Sequence, residues 1–230
     1  MEKYRTDYTA IAAAQNSVMA GVYAWMSGGL ALTALVSLLT VSSPALLNAI
    51  LGNRILFYVL IFGELGLVFT ISGAINKIGP TTASMLFLAY AALNGLTMST
   101  IFVAYTSASI ASTFTITSGM FAAMSMYGYL TRRDLTSWGS FLFMGLIGVV
   151  IASLVNIFLN SALVYWVISF CGILVFTGLT AYDTQNIKNQ GSVGTNGAII
   201  GALRLYLDFI NMFLIMLRLL GNRRYPIPVW

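Results

Sequence analysis

The sequence predicts an all-α integral membrane protein with seven transmembrane helices. Hydrophobic residues make up 59% of the 230 residues and charged residues only 7%, whereas soluble domains carry about a quarter charged residues. The apolar residues also run in blocks that match the roughly 20 helical residues needed to cross a bilayer core. Too little charge is left to cover the surface of a soluble protein, and the lipid bilayer is the predicted environment.

Seven apolar segments with short polar connections define the predicted spans. They cover residues 20–41, 55–76, 82–105, 110–130, 138–159, 162–182 and 198–220. The predicted organisation is a polar tail over 1–19, a single seven-helix transmembrane domain over 20–220 and a short C-terminal tail over 221–230. The longest predicted loop, 186–196, is rich in Gly, Asn and Ser, which is typical of a flexible connection.

The basic residues set the predicted orientation. Six lie in the N-terminal tail or in the loops on the same side, namely Lys3, Arg5, Lys77, Arg132, Arg133 and Lys188. The other side has Arg54, Arg223 and Arg224. The positive-inside rule places the N-terminus in the cytoplasm, and seven spans would place the C-terminus outside. The two terminal arginines argue mildly against this, and a last segment that enters and returns would put both ends inside.

Several classes of function are excluded by composition. There is no histidine, which removes His-ligated zinc and Ser-His or Cys-His catalysis. Cys171 is the single cysteine, so a disulfide framework is excluded. The net charge of +5 is explained by the excess of basic residues in the loops on one side. The basic residues do not form the cluster that a nucleic-acid-binding face would need. No cofactor is predicted.

The mixed polar N-terminus has no signal-peptide pattern, which favours an uncleaved first span in a bacterial inner membrane.

Three of the six acidic residues fall within or at the edge of predicted spans: Glu64, Asp183 and Asp208. A central ionised residue costs at least about 2.5–3.5 kcal/mol on insertion scales. Such residues therefore need partners or a function. An intramembrane ion pair that only holds helices in register is one reading, and it stays open for the pairs Arg204–Asp208 and Glu64–Arg218.

The last span has one polar stripe. Arg204, Asp208, Asn211 and Arg218 are offset by 0, 4, 7 and 14 residues, so they stay within about 40° on either side of one line along a helix. A stripe of this kind is a poor lipid-facing surface. The seventh helix is therefore predicted to be surrounded by the others or to line a cavity.

Asp183 and Asp208 lie in the cytoplasmic halves of two consecutive predicted helices, where their side chains could meet. Two nearby carboxylates in a low-dielectric environment do not both ionise cheaply, so one should hold a proton. The pair would respond to protons and, when ionised, offer hard oxygen ligands to a cation.

The two aspartate motifs resemble those of the transmembrane Bax inhibitor motif family. These motifs are Thr-Ala-Tyr-Asp-Thr-Gln at 180–185 and Leu-Tyr-Leu-Asp-Phe-Ile-Asn-Met-Phe at 205–213, followed by Leu-Arg-Leu-Leu-Gly at 217–221. Glu64, with the basic Lys77 near the end of the same span, also fits. The resemblance covers nearly the whole chain in length and number of spans.

This resemblance implies a central last helix wrapped by six others and a pH-sensitive calcium leak channel. It assigns the pH sensor and the calcium ligands to Asp183 and Asp208. Glu64 and Arg218 would form an ion pair near the outer side of the pore. Lys77 stands where the family often has a basic residue that engages the aspartates. Calcium ions and protons would then be the species bound or carried.

Two other functions remain open from the sequence. The first is a non-conducting regulator that binds a membrane protease or another membrane protein. The second is an intramembrane aspartyl protease, because two membrane aspartates on consecutive helices are what that chemistry needs. Against the protease, Asp208 follows Leu-Tyr-Leu and not the Gly-x-Gly that precedes the second catalytic aspartate of such enzymes. The sequence therefore favours a protein that is not an enzyme.

Overall fold

A computed structural model describes residues 2–74, 77–190 and 195–224, and in these ranges the chain is helical throughout apart from short connections. Its eight helices are α1 (Glu2–Ser42), α2 (Pro44–Gly52), α3 (Arg54–Ala74), α4 (Pro80–Ala104), α5 (Ser107–Leu130), α6 (Thr136–Leu159), α7 (Ala162–Gln190) and α8 (Thr195–Leu220). The all-α fold class is the one that the sequence predicts.

Helix α1 extends well beyond the predicted first span. It is a single 41-residue helix, whose segment Gln15–Ser42 is apolar enough to cross a membrane. The predicted polar tail is thus helical from Glu2 onward. No glycine or proline occurs before Gly21, and the run Ala12–Ala14 has high helix propensity. Nothing in this stretch therefore interrupts the helix.

Helix α2 is short and has no counterpart among the predicted spans. The side chain of Ser43 caps its N-terminus, accepting a hydrogen bond of 3.5 Å from the amide of Leu46, and Pro44 occupies the first turn. Proline suits this position because the first-turn amides have no helical partner. Asn53 then caps α3 through a 3.1 Å bond from the amide of Leu56 to its Oδ1. The Ser-Pro pair was the signal for α2 in the sequence.

Six of the described helices are long and apolar enough to cross a membrane. Helix α5 covers the predicted span 110–130 and has 24 residues, but it is not among the six. Its serine and threonine residues lower its hydropathy. The all-helical, membrane-type fold is therefore found, while the number of seven spans stays a prediction.

Helix α8 is the most buried of the six candidate spans. Of its most apolar window, 72% is buried, against 11–39% for the other five. This high burial fits the polar stripe that the sequence places on this helix. Two neighbouring boundaries differ from prediction, because α7 continues to Gln190 and α8 begins at Thr195. The predicted loop 186–196 is therefore partly helical, and its residues 191–194 lie outside the described ranges.

The chain divides into two compact units. Unit one consists of Met1–Val103 and Ile187–Tyr206, and unit two of Ala104–Asn186 and Leu207–Trp230. The hydrophobic core of unit two is formed by α6, α7 and α8, from which it takes Leu142, Phe176, Leu179, Met212, Ile215 and Met216.

Candidate functional site

Unit one holds Glu64 in a network of neutral polar groups. The hydroxyl of Thr97 donates to Glu64 Oε1 at 2.8 Å, and Asn94 Nδ2 donates to Oε2 at 3.3 Å. Asn94 Oδ1 in turn accepts from the hydroxyl of Tyr206 at 3.2 Å. Glu64 is half-buried, so these donors replace part of the water that the carboxylate would otherwise need.

The same network reaches α1 through Tyr206. The Tyr206 hydroxyl lies 2.6 Å from Thr33 Oγ1, and Thr33 donates to the carbonyl of Ala91 at 2.8 Å. The Tyr206 ring makes edge-to-face contacts with Phe87 at 5.8 Å and Tyr90 at 5.6 Å between centroids. Because Tyr206 is fully buried and fixed at both its ring and its hydroxyl, it is the anchor of unit one.

Unit two positions Asp183 through its neighbours in sequence. The Thr184 hydroxyl lies 3.0 Å from that of Ser125 on α5. Gln185 accepts from the amide of Leu135 at 2.8 Å and donates to the carbonyl of Arg133 at 2.7 Å. These bonds fix the last part of α7 against α5 and the connection that follows it. Asp183, which is itself half-buried, directly precedes these two bonded residues.

Helices α5 and α7 approach closely beside this frame. A Cβ atom added to Gly128 would overlap the carbonyl oxygen of Ala181. The absence of a side chain at this position therefore lets the backbones touch, as small residues commonly do between membrane helices. The contact lies two residues before Asp183.

Asp208 is only 4% exposed and lies near the middle of α8. A contact in unit two gives its level relative to α7: a Cβ on Gly172 would lie 2.7 Å from Ile215 Cδ1. These helices are consecutive and antiparallel, so a step forward along α7 matches a step back along α8. Asp183 lies eleven residues after Gly172, and it is therefore level with residue 204, eleven residues before Ile215. Asp208 lies four residues from that level, which is about 6 Å along the axis.

The two aspartates also continue the faces along which α7 and α8 pack. Residues 172, 176, 179 and 183 follow the i, i+4, i+7, i+11 spacing of one helix face, as do 208, 212, 215 and 219. Phe176 and Leu179 belong to the core with Met212 and Ile215. The spacing therefore puts Asp183 and Asp208 on the packed faces, offset along the helix axes by about one turn.

A row of hydroxyls follows the buried face of α5. Ser109, Thr113, Thr117 and Ser125 are spaced by multiples of four residues, and all are buried. Among the described residues, Thr113 Oγ1 and Thr117 Oγ1 have no hydrogen-bond partner. Threonines inside helices usually bond the carbonyl one turn back. Phe121 of the same face packs on Phe209 of α8, at 5.5 Å between centroids.

The remaining predicted site residues lie at more exposed positions. Arg204 and Arg218 are exposed, and Lys77 is exposed in the turn after α3. Within the polar stripe of α8, only Asp208 is fully buried, while Asn211 is half-buried. The long side chain of Arg218, in the last turn of α8, can extend towards polar surroundings. The ion pairs Arg204–Asp208 and Glu64–Arg218, and the role of Lys77, stay predictions.

A calcium site at the aspartates would need further oxygen ligands. In the described ranges, no group of three or more His, Cys, Asp or Glu side chains could hold a metal ion. Calcium takes six to eight oxygens, so carbonyl, hydroxyl or water oxygens would have to complete the shell.

Sequence reasoning missed the hydroxyl row of α5 and the role of Tyr206. The spacing of four between serines and threonines was a readable signal for the first. The contacts of Tyr206 could not be predicted from a local pattern, because its partners Thr33 and Asn94 are far away in the sequence.

Known proteins with similar sequences cover almost the whole chain. A family model described as inhibitor of apoptosis-promoting Bax1 matches residues 15–225. The inner membrane protein YbhL of Escherichia coli K12 is 50% identical over 91% of this chain and 93% of its own length. A Borreliella burgdorferi protein is 46% identical over 91% and 94%, and a Rickettsia prowazekii protein 43% over 90% and 89%. The chain belongs to the Bax inhibitor family.

Proposed function

We propose that this protein is a pH-sensitive calcium leak channel of a bacterial inner membrane, gated by Asp183 and Asp208. The observation that carries the proposal is the placement of Asp208, which is 4% exposed on the most buried of the candidate spans. A carboxylate is costly at such a position. A carboxylate at this position is best explained if the function of the protein depends on its charge.

The aspartates give the proposed gate its response to pH. They lie on the packed faces of α7 and α8, about one turn apart, and two close carboxyls in a low-dielectric site favour a state in which they share a proton. Loss of that proton creates a negatively charged site for a divalent cation and weakens the contact between the two helices. Proton binding and calcium passage would then compete at one place.

The hydroxyl row of α5 supports a path for a hydrated ion in unit two. Thr113 and Thr117 are buried, and their Oγ1 atoms have no hydrogen-bond partner among the described residues. Buried polar atoms of this kind commonly take water or an ion as partner. In this proposal α5 is the seventh span, and its low hydropathy follows from lining the path.

The proposed membrane and topology have separate supports. The E. coli relative is named an inner membrane protein, which supports the same location for this chain. The excess of basic residues in the tail and the loops on its side supports a cytoplasmic N-terminus.

Calcium flux into liposomes tests the proposal directly. The purified protein is reconstituted with a calcium dye inside the vesicles, and flux is measured over a pH series from about 5 to 8. The wild-type protein should give flux that changes with pH. Asp183→Asn combined with Asp208→Asn should remove that dependence, because an amide does not titrate.

Asp134→Asn is the matched control, since Asp134 is an exposed loop residue whose carboxylate accepts bonds from Thr136. It should leave the pH profile unchanged. A wild-type flux that ignores pH, together with no effect of the double variant, would overturn the proposal. A purified protein without flux that retains a stoichiometric membrane partner would favour the non-conducting regulator instead.

A further inference from the structure

Two adjoining cavities in unit two differ in chemistry. The first, which we call the groove, has a volume of about 260 Å³ and lies between α6, α7 and α8. The second, the polar pocket, has a volume of about 320 Å³ at the ends of the same helices. Both are lined by Ser153, Ile168, Ser169 and Arg218, so the groove opens into the polar pocket.

The polar pocket presents positive charge. Arg218 and Arg223 both line it, together with Tyr105, Tyr165 and Asn156. No described carboxylate lines this pocket or the groove. Two guanidinium groups without a neighbouring carboxylate suit an anion, and arginine favours phosphate through paired N–H donors.

Arg223 is held in place on this pocket. Its guanidinium lies 6.0 Å from the centre of the Tyr105 ring, and Tyr165 lines the same pocket. The backbone is fixed on either side, since the amide of Asn222 donates to Ser109 Oγ at 2.9 Å and that of Arg224 to the carbonyl of Ala104 at 2.9 Å. Arg223 is thus positioned before any ligand arrives, which lowers the entropic cost of binding.

The groove is mostly apolar and reaches the outside of unit two. Among its lining residues, Val150 and Leu154 of α6 are 50% and 56% exposed. Between Leu146 and Leu154 of the groove, α6 rises by about 12 Å, against roughly 15 Å for one leaflet, half of a hydrocarbon core of about 30 Å. The groove can therefore hold a large part of one hydrocarbon chain in that leaflet.

We propose that the two cavities form one binding site for an anionic phospholipid, with the phosphate on Arg218 and Arg223 and an acyl chain in the groove. Arginine and tyrosine at the ends of membrane helices suit the headgroup level. A zwitterionic lipid would bring an ammonium group close to two guanidiniums. A soluble phosphate would leave the groove unused. The site does not involve Asp183 or Asp208, the gating residues of the proposed calcium leak.

Lipid binding is measured on the purified full chain in detergent. Titration with phosphatidylglycerol should raise the thermal unfolding temperature and give bound lipid by native mass spectrometry, whereas phosphatidylcholine of the same acyl chains should bind at least about tenfold more weakly. Arg218→Gln with Arg223→Gln should weaken phosphatidylglycerol binding by about tenfold or more, since charge-assisted bonds are lost.

Two further variants separate charge from shape. Arg132→Gln removes an exposed arginine of unit two that lines neither cavity, and it should leave binding unchanged. Ser153→Phe keeps both arginines but fills the junction of the cavities, and it should also weaken binding. Equal binding of phosphatidylcholine, equal binding of glycerophosphate without acyl chains, or binding unaffected by both the arginine pair and Ser153→Phe would each overturn the proposal.

Discussion

The two units of the molecule differ in the hydrogen bonding of their buried polar side chains. In unit one, the side chains of Thr33, Glu64, Asn94 and Tyr206 satisfy one another through a continuous set of hydrogen bonds. In unit two, within the described ranges, the hydroxyls of Thr113, Thr117 and Thr177 are buried without a hydrogen-bond partner. The first arrangement cross-links helices. The second leaves polar atoms available to water or an ion.

The difference extends to how the helices are joined. Unit one connects α1, α3, α4 and α8 through side-chain bonds at Thr33, Asn94 and Tyr206. Unit two has the bond between Ser125 and Thr184, but it also brings α5 and α7 together at Gly128, where the backbones touch. Hydrogen bonds between membrane helices contribute about 0.6 kcal/mol on average, so close backbone packing should be the more sensitive of the two.

The largest loss of stability is expected from Gly128→Val. The added side chain meets the carbonyl oxygen, carbonyl carbon and Cα of Ala181, which are backbone atoms and yield only if a helix moves. Overpacking of this kind costs about 3 kcal/mol. Reversible unfolding in a mixed detergent and SDS titration should show a corresponding fall in the free energy of unfolding.

Gly119→Val is the control on the same helix. No atom lies within 4 Å of a Cβ added there, and the change in helix propensity is the same. Its free energy of unfolding should stay within about 0.5 kcal/mol of the wild type. Equal losses for the two variants would show that propensity, not the contact with Ala181, decides the effect.

A smaller loss is expected from Asn94→Leu in unit one. The variant removes the donor to Glu64 and the acceptor for Tyr206, and it leaves those partners buried with fewer bonds. The expected cost is about 2 kcal/mol in the same unfolding titration. A double-mutant cycle with Tyr206→Phe should show coupling between the two positions.

Asn48→Leu is the matched control, because Asn48 is exposed on α2. It should change the free energy of unfolding by less than about 0.5 kcal/mol. Additive effects of Asn94→Leu and Tyr206→Phe would contradict the view that unit one is held by a connected network.

Much of the fold follows from hydropathy, and the exceptions have physical reasons. The predicted spans correspond to helices because roughly 20 apolar residues in lipid must satisfy their backbone bonds internally. Helix α2 was missed because nine residues are too few to span a membrane. The end of α7 was placed eight residues early, since its polar residues looked like a loop, yet Thr184 and Gln185 are buried and bonded.

The candidate site was only partly readable from the sequence. Asp208 could be predicted as a candidate site residue, because a carboxylate is conspicuous in an otherwise apolar segment. Its burial is found, and its role stays a prediction. The partners of Glu64 could not be foreseen, since Asn94 and Thr97 are some thirty residues away and are common packing residues. The polar face of α5 was hidden for another reason: single hydroxyls carry little weight in hydropathy, and only their spacing reveals the row.

The smallest effect on stability, and the sharpest test of the comparison, comes from replacing threonine by valine in both units. Thr33→Val removes the bond to Ala91 and the contact with the Tyr206 hydroxyl, so it should cost about 1 kcal/mol. Thr117→Val replaces a hydroxyl that has no hydrogen-bond partner among the described residues with a methyl of similar size. Its free energy of unfolding should be unchanged or slightly higher.

The same Thr117→Val variant should have its main effect on transport. If the hydroxyl row of α5 carries water or an ion, a methyl group at its centre removes a polar contact from the path, and the calcium flux should fall severalfold while stability is kept. Thr115 on the same helix is exposed, and Thr115→Val serves as a control that makes the same substitution and leaves the row intact. A stability loss like that of Thr33→Val, with unchanged flux, would mean that Thr117 is bonded in the membrane and that unit two is closed in the way unit one is.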